Sequence, residues 1–490
     1  MKNNLSNLLV ILIIPGLLLF PACSNDSSWE KPPTAIKGVL NLTGWDLDKD
    51  GPVNLMGEWE FFWRKHLESK DFRNRSLPVR TGFINMPGYW NDYVVDGKAL
   101  SGEGYATYRL KVIMNDQKGI FALKLRDISA AFTIYVNEKK LCSTGIVGKS
   151  FETTVPRSLP KIVDFISEAD QIEIILQISN FHHRLGGPWE VVRFGREKDV
   201  WEVRERSLAF DLILFGCILI MGFYHLGLFT LRSNERSTLY FGLFCFIIAL
   251  RLLITGERYL ICLFPGIGWE LMYKLEYLAF YLAVPVFVMF VHSLFFHEFP
   301  KLILRIIQFL GIIFSILVIV TPARIFSHTV QLYQIFTIVS CIYGIFVLSL
   351  SSAKKREGAF IILIGSLILF LTVINDVLYS TTVIQTGYFA PFGLFIFIYA
   401  QAFILSLRFS KSFNLIEIQR KELQKTNISF QHEIAERRHV EETLRESEEK
   451  LFRSKKKYSI EDSGLGNKLI NPPRRTCLLA RLQRCTKSHI

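Results

Sequence analysis

Residues 208–231 read LAFDLILFGCILIMGFYHLGLFTL, and this mostly apolar run decides the class of the protein. A helix needs about 20 such residues to cross the roughly 30 Å hydrocarbon core of a bilayer. Six further apolar runs of similar length follow, at 237–255, 271–296, 302–320, 329–351, 359–376 and 390–407. The sequence therefore predicts an α-helical bundle of seven transmembrane helices over residues 208–407.

The charge of the chain is concentrated near its C-terminus. The 490 residues carry a net charge of +13, which could suggest a nucleic-acid partner. Residues after 452, however, contain ten Lys or Arg against two acidic residues, so +8 of the +13 lies there. Much of the remainder flanks the apolar runs, where cytoplasmic Lys and Arg are common. We therefore expect contact with membrane lipids and no nucleic-acid partner.

The charges between the apolar runs predict the orientation of the bundle. Cytoplasmic loops are enriched in Lys and Arg. If the N-terminal part lies outside, the outer loops hold only two basic residues, Arg258 and Arg324. The inner loops then hold seven, which are Arg232, Arg236, Lys301, Arg305, Lys354, Lys355 and Arg356. We expect a multi-pass membrane protein with an exported N-terminal domain and a cytoplasmic C-terminus.

Residues 1–23 are typical of a signal peptide. Lys2 precedes an apolar run from Leu8 to Phe20, which is too short to span a bilayer. Ala22 before Cys23 is similar to a bacterial lipoprotein cleavage site, so Cys23 is a candidate for lipidation. Ordinary cleavage nearby and an uncleaved signal anchor are the alternatives. All three would export the residues that follow.

Residues 30–205 are predicted to form an exported all-β domain. Short segments such as 108–114, 120–125, 132–136 and 171–178 alternate apolar and polar residues or carry β-branched runs. Gly, Asn, Asp and Pro separate them. Many short strands divided by turns are typical of a sandwich or jelly roll.

Several motifs in this domain occur in a consistent order. MPGYW at 86–90, GYATYR at 104–109 and AFTIYVN at 131–137 resemble the galactose-binding-like jelly roll of many glycosidases, although Glu138 replaces its usual Gly. Three further motifs make the resemblance more specific: KGVL at 37–40, GEWEFFW at 57–63 and SNFHHRLGGPW at 179–189. Together with seven apolar runs, residues 35–410 resemble bacterial seven-transmembrane receptors with diverse intracellular signalling modules. This resemblance implies a sensor domain whose first candidate ligand is a carbohydrate.

The aromatic residues of the β domain have two interpretations. They could stack on a ligand, or they could fill the core, which we favour for Trp59, Trp63, Trp90 and Tyr108. Glycines allow close backbone approach, and a nearby arginine could pair with a carboxylate or phosphate. A simple structural turn is the alternative there. The candidate ligand-binding residues are Trp90, Tyr105, Arg109, Asn137, Arg184, Gly186, Gly187 and Trp189.

No metal or cofactor is expected. His182 and His183 are adjacent, but no third ligand is clustered with them in the sequence. The eight cysteines include no CxxC pair, which argues against a zinc site.

Ionisable residues in the apolar runs are candidates for coupling. Such groups are costly in hydrocarbon and usually face the interior of a bundle in pairs. Arg251 is the deepest cation, and we expect Glu276 or Asp376 as its partner. The pair could be a static salt bridge or a switch between two packings. Three further residues should lie near the outer interface and could touch the β domain, namely Glu257, Lys274 and Asp211.

Residues 411–452 are predicted to form a cytoplasmic coiled-coil helix. Apolar residues recur every seven positions at Ile416, Leu423, Phe430, Leu444 and Leu451, while Arg437 interrupts the series. Residues 436–451 resemble the linker that precedes PAS domains and histidine kinases in bacterial sensors. We expect a homodimer through this coil and a cytoplasmic signalling partner. Residues 453–490 form a basic tail, which we expect to be disordered.

The combined prediction is a bacterial sensory receptor of the inner membrane, whose N-terminal domain is periplasmic or extracellular. It would bind a small ligand outside and relay a conformational signal through seven helices to the coil. We expect no catalytic activity from this chain. The alternatives are a sensor histidine kinase whose PAS and kinase part is lost by truncation or frameshift, and a transporter with an exported binding domain.

Overall fold

The computed structural model describes residues 32–73, 77–115, 117–381, 383, 384 and 386–462. The expected signal peptide with Cys23, and the expected tail beyond 462, lie outside these residues. The chain forms two compact units that divide between Leu405 and Ser406. The first unit contains a β domain, residues 32–196, and a helical bundle that follows it.

The β domain contains thirteen strands within its described residues. In chain order they are β1 (Val39–Asn41), β2 (Val53–Asn54), β3 (Gly57–Trp63), β4 (Gly82–Met86), β5 (Val94–Val95), β6 (Lys98–Ala99), β7 (Gly104–Ile113), β8 (Gly119–Leu125), β9 (Ala131–Val136), β10 (Lys139–Thr144), β11 (Lys161–Ser167), β12 (Gln171–Asn180) and β13 (Arg193–Arg196).

Two sheets of the β domain share one hydrophobic core. The larger has the order β10-β9-β12-β7-β3-β4, with β1 paired parallel to β7, and the smaller has the order β11-β8-β13-β2. Trp59 and Phe61 of the larger sheet join Phe121 and Phe194 of the smaller in a single cluster of fully buried side chains. Along the end of β7, buried Leu110 and Val112 alternate with less buried neighbours, as expected for a strand with one core face. The predicted all-β domain is confirmed.

Nine α-helices occur in the described residues after β13. They are α1 (Glu197–Leu231), α2 (Arg236–Ile254), α3 (Tyr259–Leu263), α4 (Trp269–Leu294), α5 (Lys301–Val320), α6 (Ala323–Phe326), α7 (Val330–Ala353), α8 (Ala359–Ser380) and α9 (Ala390–Asp462). Because α1 begins at the residue after β13 ends, the β domain connects to the bundle without an intervening loop.

Six helical segments are long and apolar enough to cross a membrane. They are Glu197–Leu231, Arg236–Ile254, Trp269–Leu294, Lys301–Val320, Ala323–Ala353 and Ala359–Ser380. The seventh predicted span falls at the start of α9, where the apolar part is shorter and runs over Ala390–Ile404. Its side chains nevertheless pack in the bundle, since Leu394 and Phe397 are fully buried beside Phe241 and Phe290. Six apolar helices agree with the prediction, and a seventh crossing stays a prediction.

The second unit, from Ser406, is helical over its described residues. The apolar residues of the predicted coil lie on its surface in a single chain, and Leu423 is 73% exposed. The helix is therefore present, while pairing with a second copy stays a prediction.

Candidate functional site

A tight loop after α2 carries charged residues to the β domain. It contains Gly256, with φ +63°, and Arg258, with φ +51°. The left-handed region is favourable for glycine but costly for a residue with a side chain. Such conformations are maintained only where surrounding contacts hold them. Here the contacts of Glu257 and Arg258 with the end of β8 serve this purpose.

Arg258 links the β domain to a membrane helix. Its Nη2 donates to Asp127, just after β8, at 2.5 Å and lies 3.4 Å from Glu276 on α4. The Tyr273 hydroxyl donates to the same Asp127 oxygen at 3.3 Å. The side chains of Arg258 and Asp127 are only 5% and 6% exposed. Buried charges of this kind are strongly destabilising when one partner is lost, so the β domain and α4 are held together.

A second buried ion pair lies beside the first. Lys124 Nζ on β8 donates to Glu257 at 2.5 Å, and Arg204 on α1 lies 3.7 Å from the other Glu257 oxygen. Burial lowers the pKa of Lys124, and the Glu257 carboxylate opposes this shift. Nearby, Arg126 pairs with buried Glu190 at 2.9 Å. Lys124 in β8, and Arg126 and Asp127 just after it, thus all enter ion pairs at this junction.

The segment 180–189 forms the other side of the junction. Asn180 organises it, since its amide nitrogen donates to the carbonyls of Gly102, His183 and Leu185. The Nε2 of His183 lies 3.4 Å from the Tyr277 hydroxyl on α4. Burial lowers the pKa of His183 to about 4.

A cavity of about 230 Å³ begins at this junction and continues between the helices. Near the β domain its lining is charged or polar and includes Asp127, His183, Arg184, Arg251, Arg258, Glu276 and Asp376. Further along α4 the lining is apolar, with Phe280, Val284, Phe287 and Val291. Apolar walls with a few convergent polar groups are typical of a binding site.

Four of the predicted ligand-binding residues lie at or beside this cavity. Arg184 and Trp189 line it. The backbone of Arg184 also meets the bundle, since its N–H donates to Ser327 Oγ at 3.2 Å. Gly186 and Gly187 shape the adjoining turn, where a Cβ on Gly186 would overlap the indole ring of Trp90 and lie 2.7 Å from the Gly102 carbonyl.

Trp90 is a core residue of the β domain. It is 0% exposed, and its Nε1 donates to the Ser101 carbonyl at 2.9 Å. Trp59 and Tyr108 are equally buried, as the core interpretation predicts. Trp90 therefore offers no free ring face on which a ligand could stack, and its part in the junction is to support Gly186.

Tyr105, Arg109 and Asn137 are not among the cavity-lining residues that the structure describes. Arg109 on β7 pairs with Glu60 at 3.0 Å and with Glu173, so its charge is already matched. Asn137, with φ +48°, forms the turn between β9 and β10 and accepts the Glu173 N–H. Tyr105 packs edge-on against the ring of His66.

The three predicted coupling residues all line the cavity, but they are paired differently from the expectation. Within the described residues Arg251 forms no ion pair with Glu276 or Asp376, and its guanidinium lies 5.6 and 5.7 Å from the ring centres of Phe280 and Tyr388. Glu276 contacts Arg258 instead. Asp376 accepts the backbone N–H of Phe389 at 2.6 Å and that of Ala390. The physical reason is that the loop after α2 places a second arginine closer to Glu276.

Sequence reasoning missed Asp127, Lys124 and the role of Arg258. Their signal was a cluster of charges at the end of an apolar strand, facing a charged loop at the end of an apolar helix. Of the residues expected at the outer interface, Glu257 does contact the β domain. The Lys274 ammonium instead donates to the Ile319 carbonyl on α5.

Metal binding has no support in the described part of the chain, where no group of three His, Cys, Asp or Glu could hold an ion.

Solved structures similar to part of this chain are β-glucuronidases. Those from Ruminococcus gnavus and from an uncultured Clostridium sp. are 16% and 15% identical, with TM-scores of 0.22 and 0.23. The matches cover 29% and 30% of this chain. They span 28% and 29% of those enzymes, well under two thirds of their length. No curated protein matches the sequence.

The membrane part of the chain matches a known family. Residues 207–408 fit the model of the family described as 7TM diverse intracellular signalling. This range begins within α1, includes α2 to α8 and ends within α9. It confirms the resemblance drawn from the order of the β-domain motifs and the apolar runs. In its helical part, over residues 207–408, the chain is therefore similar to the proteins of the 7TM diverse intracellular signalling family.

Proposed function

We propose that this protein is a bacterial inner-membrane sensory receptor whose β domain and helices exchange a conformational signal. The observation that carries the proposal is the buried series Asp127–Arg258–Glu276, which joins the end of β8 to α4. The family match supports a signalling role for the helices. A ligand that moved β8 or the segment 180–189 would act directly on these contacts.

Such a junction is suited to two alternative packings. A ligand shifts an equilibrium only by its different affinity for the two states. Buried ion pairs are costly to break singly, so the helices would change partners together rather than gradually. Arg251, which has ring contacts and nearby carboxylates, would be available as an alternative partner for Glu276.

The positions of the loops support a β domain outside and a tail inside. Arg258 and Arg324, the two basic residues expected outside, pair with Asp127 and Glu103 of the β domain. At the opposite ends of the helices, Glu298 pairs with Arg356 at 2.9 Å and lies 3.7 Å from Lys354. Those two basic residues belong to the set expected in the cytoplasm.

The signal would leave through α9. This helix includes Ala390 and Leu394 of the cavity lining and continues without a break to Asp462. We propose that its start is the seventh span and that residues 411–452 form a weak parallel coiled coil in a homodimer. A cytoplasmic partner or a downstream output module would read the coil, and the chain itself would perform no chemistry.

The fold of the sensor domain and the class of its ligand are proposed from the resemblance to known families. The β domain would be a galactose-binding-like jelly roll, and a carbohydrate is its first candidate ligand. The full-length protein in nanodiscs should be stabilised by a true ligand, by about 2.7 kcal/mol at a hundredfold excess over the dissociation constant. Thermal unfolding in the presence of a panel of sugars and carboxylates would identify the chemical class of the ligand.

The relay itself can be tested without knowing the ligand. A spin label at position 425, introduced as Lys425→Cys, would report the distance between the two coil helices (residues 411–452) of a dimer in nanodiscs. We expect Asp127→Asn to change the distance distribution, because it removes the charge that holds Arg258. Glu138→Gln, on an exposed hairpin turn, is the matched control and should change nothing.

An unchanged distribution in well-folded Asp127→Asn protein would contradict the relay. Solute flux into proteoliposomes would instead support the transporter alternative, and ATP-dependent autophosphorylation would support the kinase alternative.

A further inference from the structure

We propose that the cavity at the junction binds a single-chain carboxylate of the fatty-acid type. Its carboxylate would lie at Arg184 and Arg258, and its chain would extend between the helices. The inference rests on the receptor proposal for the ligand's role as a signal, while binding itself can be measured independently of signalling.

The arginines at the polar end of the cavity have unused hydrogen-bond donors. Arg258 is 5% exposed, and its Nη1 is buried without a hydrogen-bond partner. The Nε of Arg184 is in the same situation. Buried donors of proteins almost always have an acceptor. Arg251 adds a third cation. Within the described residues it makes no ion pair, its guanidinium lies near the rings of Phe280 and Tyr388, and the Glu276 carboxylate is nearby.

The carboxylates at the same end are already engaged. Asp127 accepts from Arg258 and Tyr273, and a further contact comes from the Ser158 hydroxyl. Asp376 accepts two backbone N–H groups, and Glu276 lies against Arg258. These carboxylates leave Arg258 Nη1 and Arg184 Nε without an acceptor, and a bound carboxylate would supply one. A carboxylate suits arginine best, because the planar groups can form parallel hydrogen bonds.

The remainder of the cavity is mostly apolar, although Thr337, Ser340 and Ser366 also line it, and it extends along α4. Its lining on α4 runs from Tyr273 to Val291, which is about 27 Å at 1.5 Å per residue. Its volume of about 230 Å³ is below the roughly 300–1,000 Å³ of pockets for drug-sized ligands. Such a shape suits one unbranched chain better than a sugar ring. The apolar walls include Phe244, Ile248, Phe280, Phe287 and Val291.

Gly344 on α7 provides a way to probe the depth of the cavity. It lines the cavity, and a Cβ added there would meet no atom within 4 Å. It follows Val330, the first residue of α7, by about 21 Å along the helix axis. A leucine at this position would lean toward the N-terminus of the helix, and therefore toward the β domain, and would fill the far part of the cavity.

The test uses the full chain in nanodiscs, with labelled hexadecanoate and decanoate and with empty nanodiscs as the baseline. We expect saturable binding of both acids and at least tenfold weaker binding of hexadecan-1-ol and hexadecyltrimethylammonium. Arg184→Gln should weaken both acids at least tenfold. Arg324→Gln removes an arginine that pairs with Glu103 outside the cavity, and it should leave binding unchanged.

A second variant does not depend on charge. Gly344→Leu should weaken hexadecanoate at least tenfold and leave decanoate unchanged. At about 1.2 Å per bond, a third of the extended repeat, the chains are about 18 and 11 Å long, so only the longer one would approach the leucine. Gly216→Leu is the matched control, because a Cβ on Gly216 also meets no atom within 4 Å and the residue does not line the cavity.

Several outcomes would overturn the inference. Equal binding of the alcohol and the acid, or unchanged binding in folded Arg184→Gln protein, would show that the arginines do not hold an anion. Equal effects of Gly344→Leu and Gly216→Leu would show that the chain does not enter the bundle. Displacement of hexadecanoate by glucose would assign the cavity to sugars.

The distance between the spin labels at position 425 of the two coil helices distinguishes this inference from the receptor proposal. If the acid binds and this distance does not change, the binding site is supported and the proposed relay is contradicted. If a sugar changes the distance at position 425 and the acid does not bind, the receptor proposal is supported and this binding site is contradicted.

Discussion

At the scale of single residues, Gly186 illustrates how the junction depends on close packing. Its backbone passes against the ring of Trp90, and its N–H donates to Asn91 Oδ1 at 3.1 Å. A side chain of any size would have to displace a fully buried tryptophan or the Gly102 carbonyl.

Gly186→Ala should therefore destabilise the protein by about 1–3 kcal/mol, the usual cost of overpacking. Gly44→Ala is the control, because a Cβ on Gly44 meets no atom within 4 Å. Thermal unfolding of both variants in nanodiscs would measure the difference. Equal melting temperatures would mean that Trp90 can move aside without cost.

His183 makes the junction sensitive to acid. Burial lowers its pKa to about 4 in the folded protein, whereas an unfolded histidine titrates near 6.5. Between these values the unfolded state binds the proton more strongly, so stability falls as the pH drops from about 6.5 to about 4 and levels off below. The contribution is at most about 3.5 kcal/mol, from roughly 1.4 kcal/mol per pH unit.

The variant His183→Gln should lose less stability than the native protein over this range of pH. Burial also lowers the pKa of His66 to about 4, so His66→Gln should reduce the acid sensitivity in the same direction. Melting temperatures at pH 7, 5.5 and 4 would measure this. Parallel curves for His183→Gln and the native protein would contradict the assignment.

At the scale of elements, the loop after α2 and the end of β8 act as one unit. Lys124 and Glu257 are 7% and 3% exposed and lie 2.5 Å apart. Removing one partner leaves a buried charge uncompensated, which typically costs about 3–5 kcal/mol, whereas removing both together is often close to neutral.

A double-mutant cycle with Lys124→Met and Glu257→Gln should show this coupling. We expect each single variant to be clearly less stable than the double variant, although Arg204 at 3.7 Å will compensate part of the loss of Lys124. The exposed pair Lys421–Glu417 on α9 is the control, and its cycle should show no measurable coupling. Additive effects at Lys124 and Glu257 would mean that the junction pair does not act as a unit.

At the scale of the whole molecule, the number of crossings determines where the tail lies. With six crossings the β domain and the tail would be on the same side of the membrane, and with seven they would be on opposite sides. The apolar start of α9 is the undecided segment, because Ala390–Ile404 is shorter than the other six.

Cysteine accessibility in cells should distinguish the two arrangements. We expect a membrane-impermeant thiol reagent to label Lys98→Cys, on an exposed hairpin of the β domain, in intact cells. Lys425→Cys should be labelled only after the cells are permeabilised. Labelling of both positions in intact cells would exclude the seventh crossing.

The sequence by itself determined the elements of this protein, because their signals are local. Apolar runs of helical length placed six membrane helices, and alternation of apolar residues placed the strands. The burial of Trp59 and Tyr108 also followed from their strand positions. The order of motifs and runs was sufficient to indicate the receptor family.

Only the tertiary structure decided which charges meet. Arg251 and Arg258 are both plausible partners of Glu276 in the sequence, and the left-handed backbone at Arg258 selects between them. The ion pair between Asp127 and Arg258 joins residues that are 131 positions apart in the sequence. No local pattern predicts a contact over such a sequence separation. Long-range pairings depend on how the β domain packs on the helices, which is a property of the folded chain rather than of any segment.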